Sequence, residues 1–213
     1  MPDSSIQDGR IARVCLDCAV RSFNASRDRT MLDGTISVGE MLPGKMGERA
    51  ITHRLAVCLE RALAESGIVA PSSAIVVDCE YNLHEADPKA LAFEDEQFVD
   101  VVKAARRSVD ETEGYYSVSV FPDIVVHERR SDRNDLLIVE VKRRRRSPDE
   151  DDDPALSAYD DLKLRLFTRP KAKSRDYGYQ FGCAVLAIDC GPRRELRIGQ
   201  TYQGGNAIEW TPT

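Results

Sequence analysis

Three residues in the middle of the chain have types and spacing suited to hydrolytic chemistry. Asp123 follows Pro122 inside one apolar stretch, and Glu140 and Lys142 stand two apart at the end of another. Successive side chains of a strand point to opposite faces, so Leu136, Ile138, Glu140 and Lys142 are expected on one face. A carboxylate and an amine ending an apolar face are costly to bury unless they are paired or used. The seven residues Glu128 to Asn134 are all polar or charged. They predict a hairpin connection, which would bring Asp123 beside Glu140. Two neighbouring carboxylates repel each other and raise a pKa. A divalent cation between them removes that cost, and a dense set of hard oxygen ligands suits Mg²⁺ or Mn²⁺. Read singly, the same residues have plainer roles. Asp123 would be a turn or bulge residue after Pro122, and Lys142 would snorkel at a strand end.

The elements that must position these side chains can be read from periodicity. Ile51, Leu55, Cys58, Leu59 and Ala62 are spaced as one helical face over about Glu48 to Glu65, and Gly67 is a natural stop. A β-rich run, Ala74 to Asn82, follows. Phe98, Val101, Val102, Ala105 and Val109 predict a second amphipathic helix, ended by Gly114. Strands are expected at about Tyr115 to His127 and Asp135 to Lys142, with Pro122 marking a bulge or an edge. A helix at about Ala155 to Thr168 places Leu156, Tyr159, Leu162 and Leu166 on one face, and Pro170 stops it. Strands at about Tyr177 to Ile188 and Glu195 to Tyr202 complete the pattern. The expected fold class is α/β (α+β), a central mixed β-sheet flanked by helices. Residues 1–44 are expected as a loosely organised N-terminal arm with one short element near Ile11 to Val20, and residues 45–213 as the functional domain, with a helical insertion at about 83–114.

Pro122-Asp123, sixteen intervening residues, and Glu140-Val141-Lys142 together resemble the PD-(D/E)xK nuclease superfamily. That family's core runs helix, three strands, helix, strand, with the Asp on the second strand and E-x-K on the third. The resemblance covers about residues 48 to 190 and implies a restriction-endonuclease-like core. It further implies a Mg²⁺- or Mn²⁺-dependent nuclease that hydrolyses phosphodiester bonds, with DNA preferred over RNA as substrate. Asp123 and Glu140 would hold the metal, joined by the backbone carbonyl of Val141, and Lys142 would position and activate the attacking water. The family often carries a Glu on the first helix near the metal, and Glu48 occupies that place, where it would complete a second metal position or orient water. Read plainly, it is an exposed carboxylate at a helix start, where acids are favoured. It also takes polar residues from the helix after E-x-K, where this chain reads Tyr159-Asp160-Asp161-Leu162-Lys163. Lys163 is the expected contributor there, for phosphate or for scaffolding. Arg143, Arg144 and Arg145 follow the active strand directly and could touch a phosphate backbone.

The remaining features narrow the reading. The 213 residues are 42% hydrophobic, enough for one domain with a core. No run of 18 apolar residues exists, so no membrane span is expected. The start, Met-Pro-Asp-Ser-Ser, has no charged-then-apolar leader, which makes a cytoplasmic location the expectation. Net charge is −6, but the run at 149–153 contributes five of those charges, so the rest of the chain is near neutral. The Lys-Arg-Arg-Arg-Arg run at 142–146 and the acidic run after it also read as solvated loops. Cys15 and Cys18 form a lone C-x-x-C with no second ligand pair, while Cys58, Cys79 and Cys183 lie in apolar runs. His53, His84 and His127 show no ligand spacing, and Glu80 ends the first strand near Tyr81 and Asn82. Gly39 to Met46 nearly matches a nucleotide-binding loop, but Met46 lacks the hydroxyl that holds Mg²⁺. A catalytically silent scaffold of the same fold is the alternative of a different class, with the charged residues as an internal ion cluster. No module for target recognition is evident, so specificity would come from a partner protein or from a second copy in a homodimer.

Overall fold

The computed structural model describes residues 4–25, 47–67, 74–80, 83–84, 87–112, 114–129, 135–145, 154–172, 176–190 and 193–209. Within them lies a mixed α/β fold built on a six-stranded sheet. Its strands are β1 (Ile75–Cys79), β7 (Ile124–Glu128), β8 (Leu137–Arg145), β9 (Phe181–Cys190), β10 (Arg193–Gln203) and β11 (Asn206–Ile208), adjacent in that order. β8 and β9 run parallel, and every other neighbouring pair is antiparallel. A parallel pair needs a crossover, and helix α4 (Pro154–Phe167) lies between them in the chain.

Each face of the sheet carries its own core. On one face, α1 (Ser4–Ala25) and α2 (Glu48–Ser66) cover Ile124, Val126, Leu137, Val139, Val141, Cys183 and Val185. On the other, α4 covers Val125 and Ile138 with Leu162, Leu164, Leu166 and Phe167. Leu136 through Val141 are therefore buried without interruption, as expected of a strand covered on both sides. Alternation holds from Leu137 onward, whereas Leu136, just before the strand, packs on the α1–α2 side rather than with Ile138.

α2 begins at Glu48 after Gly47 and ends at Gly67, which adopts a left-handed φ of 81° and returns its N–H to the Ala64 carbonyl. Glycine takes that conformation without the strain a Cβ would bring.

Further expectations change. Residues 4–25 are not a loose arm with a short element but a helix of 22 residues. Its buried face, Ala12, Cys15, Leu16, Ala19, Val20 and Phe23, is helically spaced, but half of it is small residues set among polar ones, which weakens the signal. Asn24 ties its end to β10, donating to the Leu196 carbonyl at 2.9 Å and accepting from the Leu196 N–H at 2.8 Å.

The insertion is not purely helical. It holds β2 (Leu83–His84), β3 (Asp87–Pro88), β4 (Ala90–Phe93), α3 (Glu96–Ala104), β5 (Asp110–Thr112) and β6 (Tyr115–Ser119), with β4-β6-β5 forming a small second sheet. α3 stops well short of Gly114, and Asp95 caps its start by accepting from Gln97 N–H at 2.9 Å. The single strand expected at Tyr115 to His127 is accordingly two, because Pro122 has no N–H for a ladder and the chain changes sheets there.

Finally, β8 runs on through Arg145, paired with β9, so the backbone of Arg143, Arg144 and Arg145 is strand rather than loop. Their side chains, together with Arg146, the acidic run at 149–153 and the segment Gly39 to Met46, lie outside the described residues. No helix among the described residues is long and apolar enough to cross a membrane.

Candidate functional site

The site forms where the chain leaves the small sheet and enters the large one. Val120 N–H donates to the Lys89 carbonyl at 3.0 Å, and the Asp123 carbonyl accepts from Glu80 N–H at 3.0 Å. Asp123 is thus held immediately before β7. The β7–β8 register pairs Ile124 with Val139, and one further step puts Asp123 opposite Glu140. Directly opposed side chains lie about 5 Å apart at Cβ. Asp123 Oδ2 accepts from Val141 N–H at 2.7 Å, so it is the amide of Val141, between Glu140 and Lys142, that orients this carboxylate.

Glu140 is 1% exposed. Its Oε2 lies 2.5 Å from Lys163 Nζ, and its Oε1 is buried without a hydrogen-bond partner. Lys163 Nζ also reaches Asp160 Oδ1 at 2.9 Å, one turn back on α4, and Asp160 Oδ2 lies 2.7 Å from Lys142 Nζ. An unbroken chain of opposite charges thus runs Glu140, Lys163, Asp160, Lys142. The Tyr159 ring supports Lys163 from 5.3 Å, a cation–π distance. α4 approaches closely because β9 carries Gly182 there, where an added Cβ would lie 2.9 Å from Thr168 Cγ2 and 3.3 Å from both Ile138 and Leu164 side chains.

Burial raises the Asp123 carboxyl above the usual range, and the Glu48 charge adds to this, against relief from the Val141 N–H, Lys163 and Lys142. Glu140 is pushed up by complete burial and by Asp123 and Asp160, with Lys163 opposing. Burial works to lower both lysines, but the carboxylates win. Asp160 and Glu48 raise Lys142, and Glu140 and Asp160 raise Lys163, so both remain ammonium ions. Three carboxyl groups, Asp123, Glu140 and Asp160, share the site with the two ammonium groups of Lys142 and Lys163.

Asp123, Glu140, Lys142 and Lys163 therefore come together on the α4 side of the sheet. Glu48, the first residue of α2, acts on Asp123 and Lys142 through its charge. Among the described residues no three His, Cys, Asp or Glu side chains converge as a ready ligand set. Glu80 stays exposed and pairs with Arg49 at 2.8 Å, with a left-handed φ of 50°. His53 is exposed on α2. His127 sits farther along β7, 3.1 Å from Asp78 Oδ2, and Arg129 pairs with the same carboxylate. Cys15 and Cys18 are free thiols on α1; burial raises the Cys15 pKa, which suits a core residue rather than a reactive one. Tyr177 and Tyr179 are buried against Phe167. Sequence reasoning passed over Asp160. The signal available was its i, i+3 relation to Lys163 on the helix that follows the Glu140–Lys142 strand.

Compared with models of protein families, with curated proteins and with solved structures, the chain gives no match.

Proposed function

We propose that this chain is a Mg²⁺- or Mn²⁺-dependent nuclease of the PD-(D/E)xK kind acting on DNA, with Asp123, Glu140 and Lys142 as its working residues. The observation that carries the reading is the β7–β8 register, which sets Asp123 against Glu140 with Lys142 two residues on. The element order α2, β1, β7, β8, α4, β9, with β8 and β9 parallel, supports a restriction-endonuclease-like core.

The donor chemistry fits a small divalent cation. Mg²⁺ is commonly held by one or two carboxylates and completes its shell with water and substrate oxygens. Asp123 and Glu140 supply that number, and Glu140 Oε1 is a buried oxygen with no other partner. A bound cation of this type polarises the phosphate and lowers the pKa of a water. Around it, the protein's residues have separate tasks. The Val141 N–H fixes Asp123. Lys142, partly exposed and cationic, faces the incoming phosphodiester as a hydrogen-bond donor. Being protonated, it orients and stabilises the nucleophile rather than removing its proton. Lys163 compensates Glu140 inside the fold, and Asp160 holds both ammonium groups in place. Glu48 lends negative charge from the start of α2, and Arg143 to Arg145 extend the same strand toward the nucleic-acid backbone.

The test is Mn²⁺ titration by calorimetry into the wild type and Asp123→Ala, alongside cleavage of plasmid and single-stranded DNA. Binding and cleavage by the wild type, both lost in the variant, support the reading. A wild type that binds no metal even with DNA present overturns it. The second reading, a catalytically silent scaffold, is favoured by the closed ion chain, which already compensates Glu140 without metal. It requires the first result to be absent while the fold stays intact.

A further inference from the structure

Phe121 stands apart from the other described phenylalanines. Phe23, Phe93, Phe167 and Phe181 are buried, and Phe98 packs edge-on against Phe93 at 5.9 Å. Phe121 is 57% exposed, while its neighbours Val120 and Pro122 are buried. Alternation along the chain between the two sheets turns Val120 and Pro122 inward and this ring outward. The segment is braced by the Val120 hydrogen bond to Lys89, by the Asp123 carbonyl bonded to Glu80, and by the fixed φ of Pro122. The ring is thus presented on stiff backbone, two residues and at most about 7 Å between Cα atoms from Asp123.

We infer that Phe121 is a stacking platform for an unpaired nucleobase beside the scissile position, which makes single-stranded or frayed nucleic acid the preferred substrate of the site. The inference rests on the nuclease reading. A single exposed hydrophobe is common on protein surfaces, and position gives this one its meaning. Asp123 follows two residues on, the β7–β8 register sets it against Glu140, and the partly exposed ammonium of Lys142 stands two residues farther along β8. The occupant follows from the size of the feature. A protein partner needs a contiguous apolar patch around an anchor. The only other large exposed hydrophobe among the described residues, Val14, belongs to the separate helix α1. A nucleobase needs one flat ring, and every base offers a π-face. In a closed duplex that face is covered by neighbouring base pairs, so only an unpaired, terminal or extruded base can meet Phe121.

The experiment uses the full chain and its Phe121→Ala, Phe121→Leu and Phe121→Trp variants, each first checked for an unchanged melting temperature. Binding of a short single-stranded oligodeoxynucleotide carrying 2-aminopurine is read by fluorescence quenching in EDTA. Cleavage with Mn²⁺ is read on the same strand and on its duplex. Loss of one base stack should weaken single-strand binding by roughly 5- to 150-fold in Phe121→Ala. KM should rise more than kcat falls, the loss should be larger on single strand than on duplex, Trp should restore binding and Leu should not. If the wild type cuts but Phe121→Ala matches it on both substrates, or Leu restores binding as well as Trp does, the stacking role is overturned and the nuclease reading stands. If the wild type cuts neither substrate, the nuclease reading falls and this inference falls with it.

Discussion

Replacing Lys163 with methionine should strand the most deeply buried charge of the site. Glu140 is 1% exposed and its paired oxygen has Lys163 Nζ 2.5 Å away. Methionine keeps most of the stem's volume and removes only the ammonium. Glu140 would then face Asp123 and Asp160, both of its own sign, with no cation in direct contact. Breaking a buried ion pair by removing one partner costs about 3–5 kcal/mol, a large share of the total stability of a domain. The loss should depend on pH in a definite direction. Glu140 already titrates above the ordinary carboxylate range, and without Lys163 it rises further. The folded variant then holds a proton that the unfolded chain has released. Its stability must therefore fall as pH rises from about 4.3 toward the folded pKa, at up to about 1.36 kcal/mol per pH unit. Urea unfolding at about pH 5.5 and about pH 8 measures both quantities through the linear dependence of stability on denaturant. Lys163→Met with Glu140→Gln should recover most of the loss at the higher pH, since the stranded Glu140 charge is gone and Asp160 keeps Lys142 as its partner. A loss below about 1 kcal/mol at the higher pH, or one independent of pH, would show that the pair is not the buried, mutually dependent unit described above.

Other parts of the fold and site can be tested in the same way. Asp160→Asn leaves both lysines without the carboxylate that spaces them, and under the proposed nuclease function it should lower DNA cleavage about 10- to 100-fold, with kcat carrying most of the change. The raised Asp123 carboxyl makes folded protein bind its proton more tightly than the unfolded chain does. Stability from this group is therefore lost as pH rises from about 4 through its folded value, and melting curves of Asp123→Asn across that range should show a flatter profile. Phe23→Ala should cost about 3–5 kcal/mol in urea unfolding, because the ring is 2% exposed in the core that α1 shares with the sheet. A loss near zero would mean that α1 is not integral. Gly182→Ala forces a methyl to within 2.9 Å of Thr168 and should destabilise by about 1–3 kcal/mol, with no such effect at the exposed Gly114, if its left-handed φ is respected by using Asn there.

Local pattern alone carried a good part of this molecule. α2 and its stop at Gly67, the core of β8 and the span of α4 follow from helical or alternating spacing, because each signal resides within one element and its caps. Period-two geometry likewise puts Glu140 and Lys142 on one face, and a polar connection suggests that Asp123 folds back toward them. Spacing does not say which element is the partner, and there the tertiary structure decided. Tyr115 to His127 looks like one strand, yet its halves pair in different sheets, since β4 and β5 claim the first half and β1 and β8 the second. Ala12, Cys15 and Ala19 are too small to announce a core face on their own, and α1 is part of the core because α2 and the sheet pack closely enough to exclude water from them. The arginines after Lys142 read as a solvated charge run, but β9 offers a parallel ladder that holds their backbone in a strand. Asp160 looked like one of two adjacent acids. It matters because α4, let in by Gly182, crosses β8 at the height of Glu140 and Lys142 and sets one carboxylate between two ammonium groups. Residue types and spacing determine which chemistry is available. Only packing brings charges from separate elements within 3 Å and removes the water that would otherwise screen them.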